Sequence, residues 1–132
     1  MNKFFFFGGL ILCCLLLACK KNKENNSLVV GSWKWERTYM GVDGSVIKPG
    51  SDETFILIFK SNGSYTYTKN SVVLRSGRYS VKKFEPLTMN VVSWGLFYSD
   101  DDYPYFITNN GNELTLGQDV YDGSLHVYRK SQ

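Results

Sequence analysis

From residue 28 to residue 130, apolar and polar positions alternate in short runs with a period of two, which predicts strands. Residues 31–39, GSWKWERTY, put Trp33, Trp35 and Tyr39 on one face of an expected strand. Residues 54–59, TFILIF, form a continuous run of strand formers, which suits burial on both faces or a barrel strand under a cover. Asn62-Gly63 between this run and the alternating 64–68 segment is a hairpin signal. Residues 72–75 and 77–81 read as one strand broken at Gly77, with a bulge there. Further runs at 89–98, 103–108, 113–116 and 125–129 are separated by Asp100-Asp101-Asp102, by 109–112 and by Asp122-Gly123. About eight short strands with regular turn signals predict an all-β chain, either a small antiparallel up-and-down barrel or an open two-sheet sandwich. No segment from residue 28 onward carries a helical period, and 132 residues argue for one domain.

The start of the chain follows another pattern. Residues 4–17 are an apolar run broken by Gly8 and Gly9, preceded by Lys3 and followed by Lys20-Lys21. The run has the length of a secretory signal core and falls short of the roughly 20 residues of a membrane span. An uncleaved N-terminal anchor is the alternative. Leu16-Leu17-Ala18-Cys19 resembles a bacterial lipobox. The resemblance implies a signal peptide over 1–18 and diacylglycerol on the Cys19 thiol. It also implies membrane attachment through two or three acyl chains, which hold far better than one. Cys13 and Cys14 then read as small apolar residues of the signal core. The mature chain has no free cysteine, so disulfides, cysteine metal sites and thiol catalysis are excluded. Residues 19–27 form the lipidated cysteine and a polar tether, KKNKENNS, whose lysines suit anionic headgroups. In Bacteroidota lipoproteins an acidic signal after the cysteine marks export to the cell surface. Its absence here implies an outer-membrane protein facing the periplasm, with the cell surface as the alternative.

Charge narrows the picture. From residue 27 onward there are eleven Lys/Arg and eleven Asp/Glu, so the overall +3 belongs to the leader and tether. A nucleic-acid-binding domain carries its excess on the folded part, and that class is set aside.

A second resemblance covers most of residues 28–132. Gly31-Ser32-Trp33 resembles the Gly-x-Trp of lipocalins, in which a basic residue near the end of the last strand packs over the tryptophan. Arg129 holds the comparable place, and such a cation–π contact is worth about 0.5–2 kcal/mol. Phe59-Lys60-Ser61-Asn62-Gly63-Ser64-Tyr65, followed by Ser76-Gly77-Arg78-Tyr79, resembles the small lipocalin-like domains of Bacteroidota lipoproteins. This implies a lipocalin-like barrel over 28–132. The chain lacks the Thr-Asp-Tyr motif and the C-terminal helix of full lipocalins.

No catalytic constellation stands out, and no cofactor or metal is expected. His126 is the sole histidine and has no nucleophile motif beside it. Asp100, Asp101 and Asp102 lack the alternate spacing of a calcium loop and read as a solvated turn. Glu36, Glu53, Glu85 and Glu113 show no glycosidase context. Phosphate loops and nucleophile elbows are absent. What remains is aromatic content: nine Tyr, five Phe and three Trp after residue 18. Trp33 and Phe59 are expected to fill the core. Trp94, Phe97, Tyr98, Tyr103 and Tyr105 flank the acidic loop and are the candidate lining of a ligand mouth. The expectation is a non-enzymatic, membrane-anchored domain binding a small apolar or amphipathic ligand. The alternative is a filled barrel that docks an envelope protein partner as an interaction subunit.

Overall fold

The computed structural model of the protein describes residues 24–132. The expected signal peptide and Cys19 lie outside the described residues. One turn of 3-10 helix, Asn26–Leu28, precedes nine strands. They are β1 (Gly31–Tyr39), β2 (Val46–Ile47), β3 (Phe55–Phe59), β4 (Ser64–Lys69) and β5 (Val72–Phe84), then β6 (Ser93–Tyr98), β7 (Tyr105–Asn109), β8 (Glu113–Gln118) and β9 (Leu125–Lys130). Every pairing is antiparallel, and β1 pairs with both β3 and β9. β1 and β3–β9 therefore close an eight-stranded up-and-down barrel, and the open sandwich is excluded. Closure removes the free edges that a sheet of this size would expose. β2 is a two-residue addition that pairs with the end of β1 through Thr38 and Tyr39.

The strands follow the period-two pattern with two shifts. In β1 the register against β9 slips between Trp35 and Arg37. An extra residue here is a β-bulge, and it resets which side chains point inward. Trp33 and Trp35 point in, as expected, but Tyr39 does not share their face. After the bulge Thr38 takes the inward position and is 5% exposed, while Tyr39 is 38% exposed. In β5 the irregularity falls at Leu74, between the pairs Thr68↔Val73 and Tyr67↔Arg75, rather than at Gly77. Gly77 is instead a regular partner of Tyr65. The Asn62-Gly63 turn forms as read. Gly63 adopts φ +85° and donates to the Lys60 carbonyl, a conformation that suits glycine.

One end of the barrel is filled. Trp33, Phe59, Val81, Leu96 and Leu114 are each no more than 1% exposed, and Tyr79 packs edge-on to Phe59 at 4.8 Å. The chain before β1 plugs this end. Val29 is fully buried, and its carbonyl accepts the Trp33 indole N–H at 2.7 Å. The Asn25 N–H donates to the Val81 carbonyl, and the Val81 N–H donates to Asn26 Oδ1. Asn109 Nδ2 donates to the Leu28 carbonyl. The tether expected to run through Ser27 is thus shorter, because Asn25 and Asn26 satisfy backbone groups of β5 and belong to the folded unit.

Residues 85–92 cross the outside of the barrel. Phe84 points outward and packs on Phe97 and Phe106 of β6 and β7, at 5.6 Å from each ring. The strap then reaches Asp119, just past β8. The Asp119 carboxylate is 1% exposed and accepts the N–H groups of Leu87 and Thr88 and the Thr88 hydroxyl. A buried acceptor serving three donors is expensive to lose. Asp119→Ala is expected to lower unfolding free energy by about 2–3 kcal/mol in urea titrations, with Asp119→Asn losing less because it keeps an acceptor.

Candidate functional site

The other half of the barrel is hollow. A cavity of about 310 Å³ lies inside it, opposite the plugged end. Its walls come from all eight strands of the barrel, and six of its lining side chains are Tyr or Trp: Trp35, Tyr65, Tyr67, Tyr98, Tyr105 and Tyr128. Leu57 and Leu116 complete the apolar wall, and Thr38, Arg75 and His126 supply polar groups. Trp35 and Tyr67 are held by Phe55, which meets Trp35 edge-on at 5.2 Å and stacks on Tyr67 at 5.9 Å.

The mouth carries a charged clasp. Arg75 Nε and Nη2 bind Asp100 at 2.6 and 2.9 Å, a bidentate pair. The same guanidinium lies over the rings of Tyr98 and Tyr65, 4.9 and 5.6 Å from their centroids. The Tyr65 hydroxyl donates to Asp100 at 2.6 Å, and the Tyr105 hydroxyl donates to Asp101 at 2.8 Å. Two of the three acidic residues therefore organise the cavity rim. Among the described residues no group of three or more His, Cys, Asp or Glu is placed to hold a metal ion. The bonds from Arg75 and Tyr65 hold the Asp100 carboxyl down at about 2. Burial raises the Tyr65 and Tyr105 phenols, and their carboxylate partners raise them further.

A second polar group sits deeper. The Trp35 indole N–H donates to Thr38 Oγ1 at 3.0 Å, and Thr38 Oγ1 lies 2.8 Å from His126 Nδ1. The arrangement that uses every hydrogen runs Trp35 N–H to Thr38 hydroxyl to His126 Nδ1. It leaves the histidine proton on Nε2. Burial holds the His126 pKa below its ordinary 6.5, so the ring is neutral at pH 7.

The sequence candidates divide clearly. Tyr98 and Tyr105 line the cavity. Trp94 shares their inward face but packs against the core, with the Lys83 ammonium 5.5 Å from its ring. Phe97 alternates with Leu96 and Tyr98, so it points outward against Phe84 and lies under Lys82. Tyr103 is 48% exposed in the loop after β6. Trp35, Tyr67, Arg75, His126 and Tyr128 were not among the candidates. The inward period of β4 and β9 is the signal that marks Tyr67, His126 and Tyr128.

The expected contact between Trp33 and Arg129 is absent. Arg129 neighbours Lys34 on the outer face, where Nη2 binds Glu36 at 3.2 Å, while the Trp33 indole is inside. Tyr128 occupies the inward position at this end of β9, and alternation turns Arg129 out. Gly31 keeps a positive φ of 144° at the start of β1, with Trp33 Nε1 3.5 Å from where its Cβ would stand.

Outside the barrel a broader depression of about 870 Å³ runs between Lys34, Arg37, Lys48 and Arg129. It is open to solvent and bounded by exposed charged side chains. No family model, curated protein or solved structure matches the chain.

Both depressed pKa values act on stability in the same direction. The folded chain binds protons less readily than the unfolded one, so stability is complete above the ordinary pKa and falls as pH drops. A first loss is expected below pH 6.5 from His126, and a second between 3.8 and about 2 from Asp100. The second is about 1 kcal/mol after solvent screening of this half-exposed pair. Urea midpoints measured against pH check this: His126→Gln should remove the upper step and Asp100→Asn should shrink the lower, where Glu36 and Glu53, held down by Arg129 and Lys69, also titrate.

Proposed function

We propose that this chain is a lipid-anchored binding protein of the cell envelope whose barrel takes up a small apolar or amphipathic molecule, without catalysing a reaction on it. The observation that carries the reading is the cavity of about 310 Å³, closed at one end by the plug and open at the other. A barrel meant only as a scaffold fills both halves with its own side chains. Here the filled half shows that the chain has enough bulk to pack tightly, and the hollow half is a departure from that. Flat apolar walls with a few polar groups are the usual composition of a small-molecule site. The lipobox-like Leu16-Leu17-Ala18-Cys19 supplies the anchoring and the envelope location. The same argument favours the periplasmic face, since no acidic pair follows Cys19.

A second reading rests on a different observation. Val72, Val73 and Leu74, on the arm leaving the β4–β5 turn, are 65%, 57% and 55% exposed. Three consecutive exposed apolar residues suit a protein contact, as in an interaction subunit of an envelope complex.

Native mass spectrometry of the protein purified from its host's envelope in mild detergent separates the two. A discrete small-molecule mass that is lost on activation is expected, together with the mass of acyl chains at Cys19. Leu116→Phe, which adds bulk to the cavity wall, should lower adduct occupancy several-fold while circular dichroism remains that of a β-barrel. A bare acylated chain, or a co-purifying protein at fixed ratio with no small molecule, overturns the carrier reading.

A further inference from the structure

Two tyrosine hydroxyls inside the cavity are left without partners. Tyr98 is 9% exposed and Tyr128 is 8% exposed. Neither phenol is hydrogen-bonded among the described residues, although the neighbouring Tyr65 and Tyr105 hydroxyls both are. Among the described residues no side-chain polar atom that is sealed from solvent lacks a partner, so these two hydroxyls open onto the hollow space. Burial pushes both phenols above their ordinary pKa, so both retain their protons at neutral pH. Tyr67 adds a third hydroxyl on the same wall, and His126 Nε2–H a further donor. Polar groups in such surroundings call for a partner that brings hydrogen-bonding atoms with it.

Arg75 is the one charged side chain among those lining the cavity, and the carboxylates of Asp100 and Asp101 stand outside the lining. Arg75 is engaged by Asp100 in two bonds, and Asp101 takes the Tyr105 hydroxyl. A bound ion would surrender its hydration and find no free opposite charge inside. The size is also set. At about 30 Å³ per water, the space holds about ten waters' worth of matter. An extended acyl chain needs length, and the plugged end, with Trp33, Phe59 and Leu96 at most 1% exposed, blocks it. Six of the eleven lining residues are Tyr or Trp, a composition that suits another ring.

From these observations we infer that the cavity is built for an uncharged molecule of one ring or two fused rings that carries at least two hydrogen-bonding groups. It meets the hydroxyls of Tyr98 and Tyr128 and is sandwiched by the aromatic wall. This rests on the binding reading above and narrows its ligand class.

Isothermal titration calorimetry on the barrel in its acylated, detergent-solubilised form tests the inference with four probes. 4-Hydroxyacetophenone is the neutral ring, 4-hydroxybenzoate and tyramine are its anionic and cationic counterparts, and decanoate is the acyl chain. The neutral ring is expected to bind at least tenfold more tightly than the other three. The double substitution Tyr98→Phe with Tyr128→Phe keeps both rings and should weaken that binding about tenfold or more, as loss of two hydrogen bonds implies. A melting curve for the double variant confirms that the barrel is intact, and each single variant serves if the double one is not. Tighter binding of decanoate or of either ion overturns this inference and leaves the carrier reading standing. Unchanged binding of the neutral ring by the phenylalanine variants also overturns it. Failure of all four probes, with no small-molecule mass on the native protein, overturns both.

Discussion

The structure depends on one strand serving two neighbours. β1 pairs with β3 through residues 31–34 and with β9 through residues 33–39, and without the second ladder the sheet would remain open. The bulge within that ladder does more than accommodate curvature. In a regular strand Trp35 and Thr38, three positions apart, face opposite sides. The bulge brings both inside, where the indole, the threonine hydroxyl and His126 form one hydrogen-bonded line. It also leaves Glu36 and Arg37 together on the outside, where Glu36 binds both Arg37 and Arg129. The polar line within the cavity and the ion pairs over the seam both follow from one inserted residue.

The two halves of the barrel express different physical demands. In the plugged half, large side chains interdigitate and the segment before β1 supplies the last buried carbonyl to Trp33. That is ordinary core packing, in which each methylene counts. In the hollow half, aromatic rings are braced by their neighbours and not by the centre: Phe55 supports Trp35 and Tyr67, and Arg75 lies across Tyr65 and Tyr98. The outer strap contributes to this rigidity through Asp119, which ties residues 87 and 88 to the end of β8.

Much of the fold was legible in the sequence because strand formers alternate and turns carry Asn-Gly or Asp-Gly. The positions of β3, β4, β8 and β9 lie within a residue or two of the patterned segments. The misreadings have local causes. β2 is two residues long and has no pattern to detect. Met89, Val91 and Val92 look like strand but belong to the strap, where they are exposed. For the site, proximity to the acidic loop singled out Tyr98 and Tyr105, which line the cavity, but proximity ignores the faces of a strand. Phe97 sits between two inward residues and so points out. Thr38 was beyond reach because the phase of β1 changes at a bulge that no residue type announces. Arg75 joins the site only because the fold sets Asp100 beside it.

Both ends of the described chain leave from the plugged end. Asn25 is bonded to Val81 there, and Ser131 donates to the Ser32 carbonyl at the start of β1. The clasp of Arg75 and Asp100 stands at the far end, a full strand away. Whatever is attached to the beginning of this chain, whether acyl chains or a solid support in the laboratory, therefore holds the barrel by its base and leaves its opening facing away. The opening lies on the side opposite the attachment, and immobilisation through either terminus does not obstruct it.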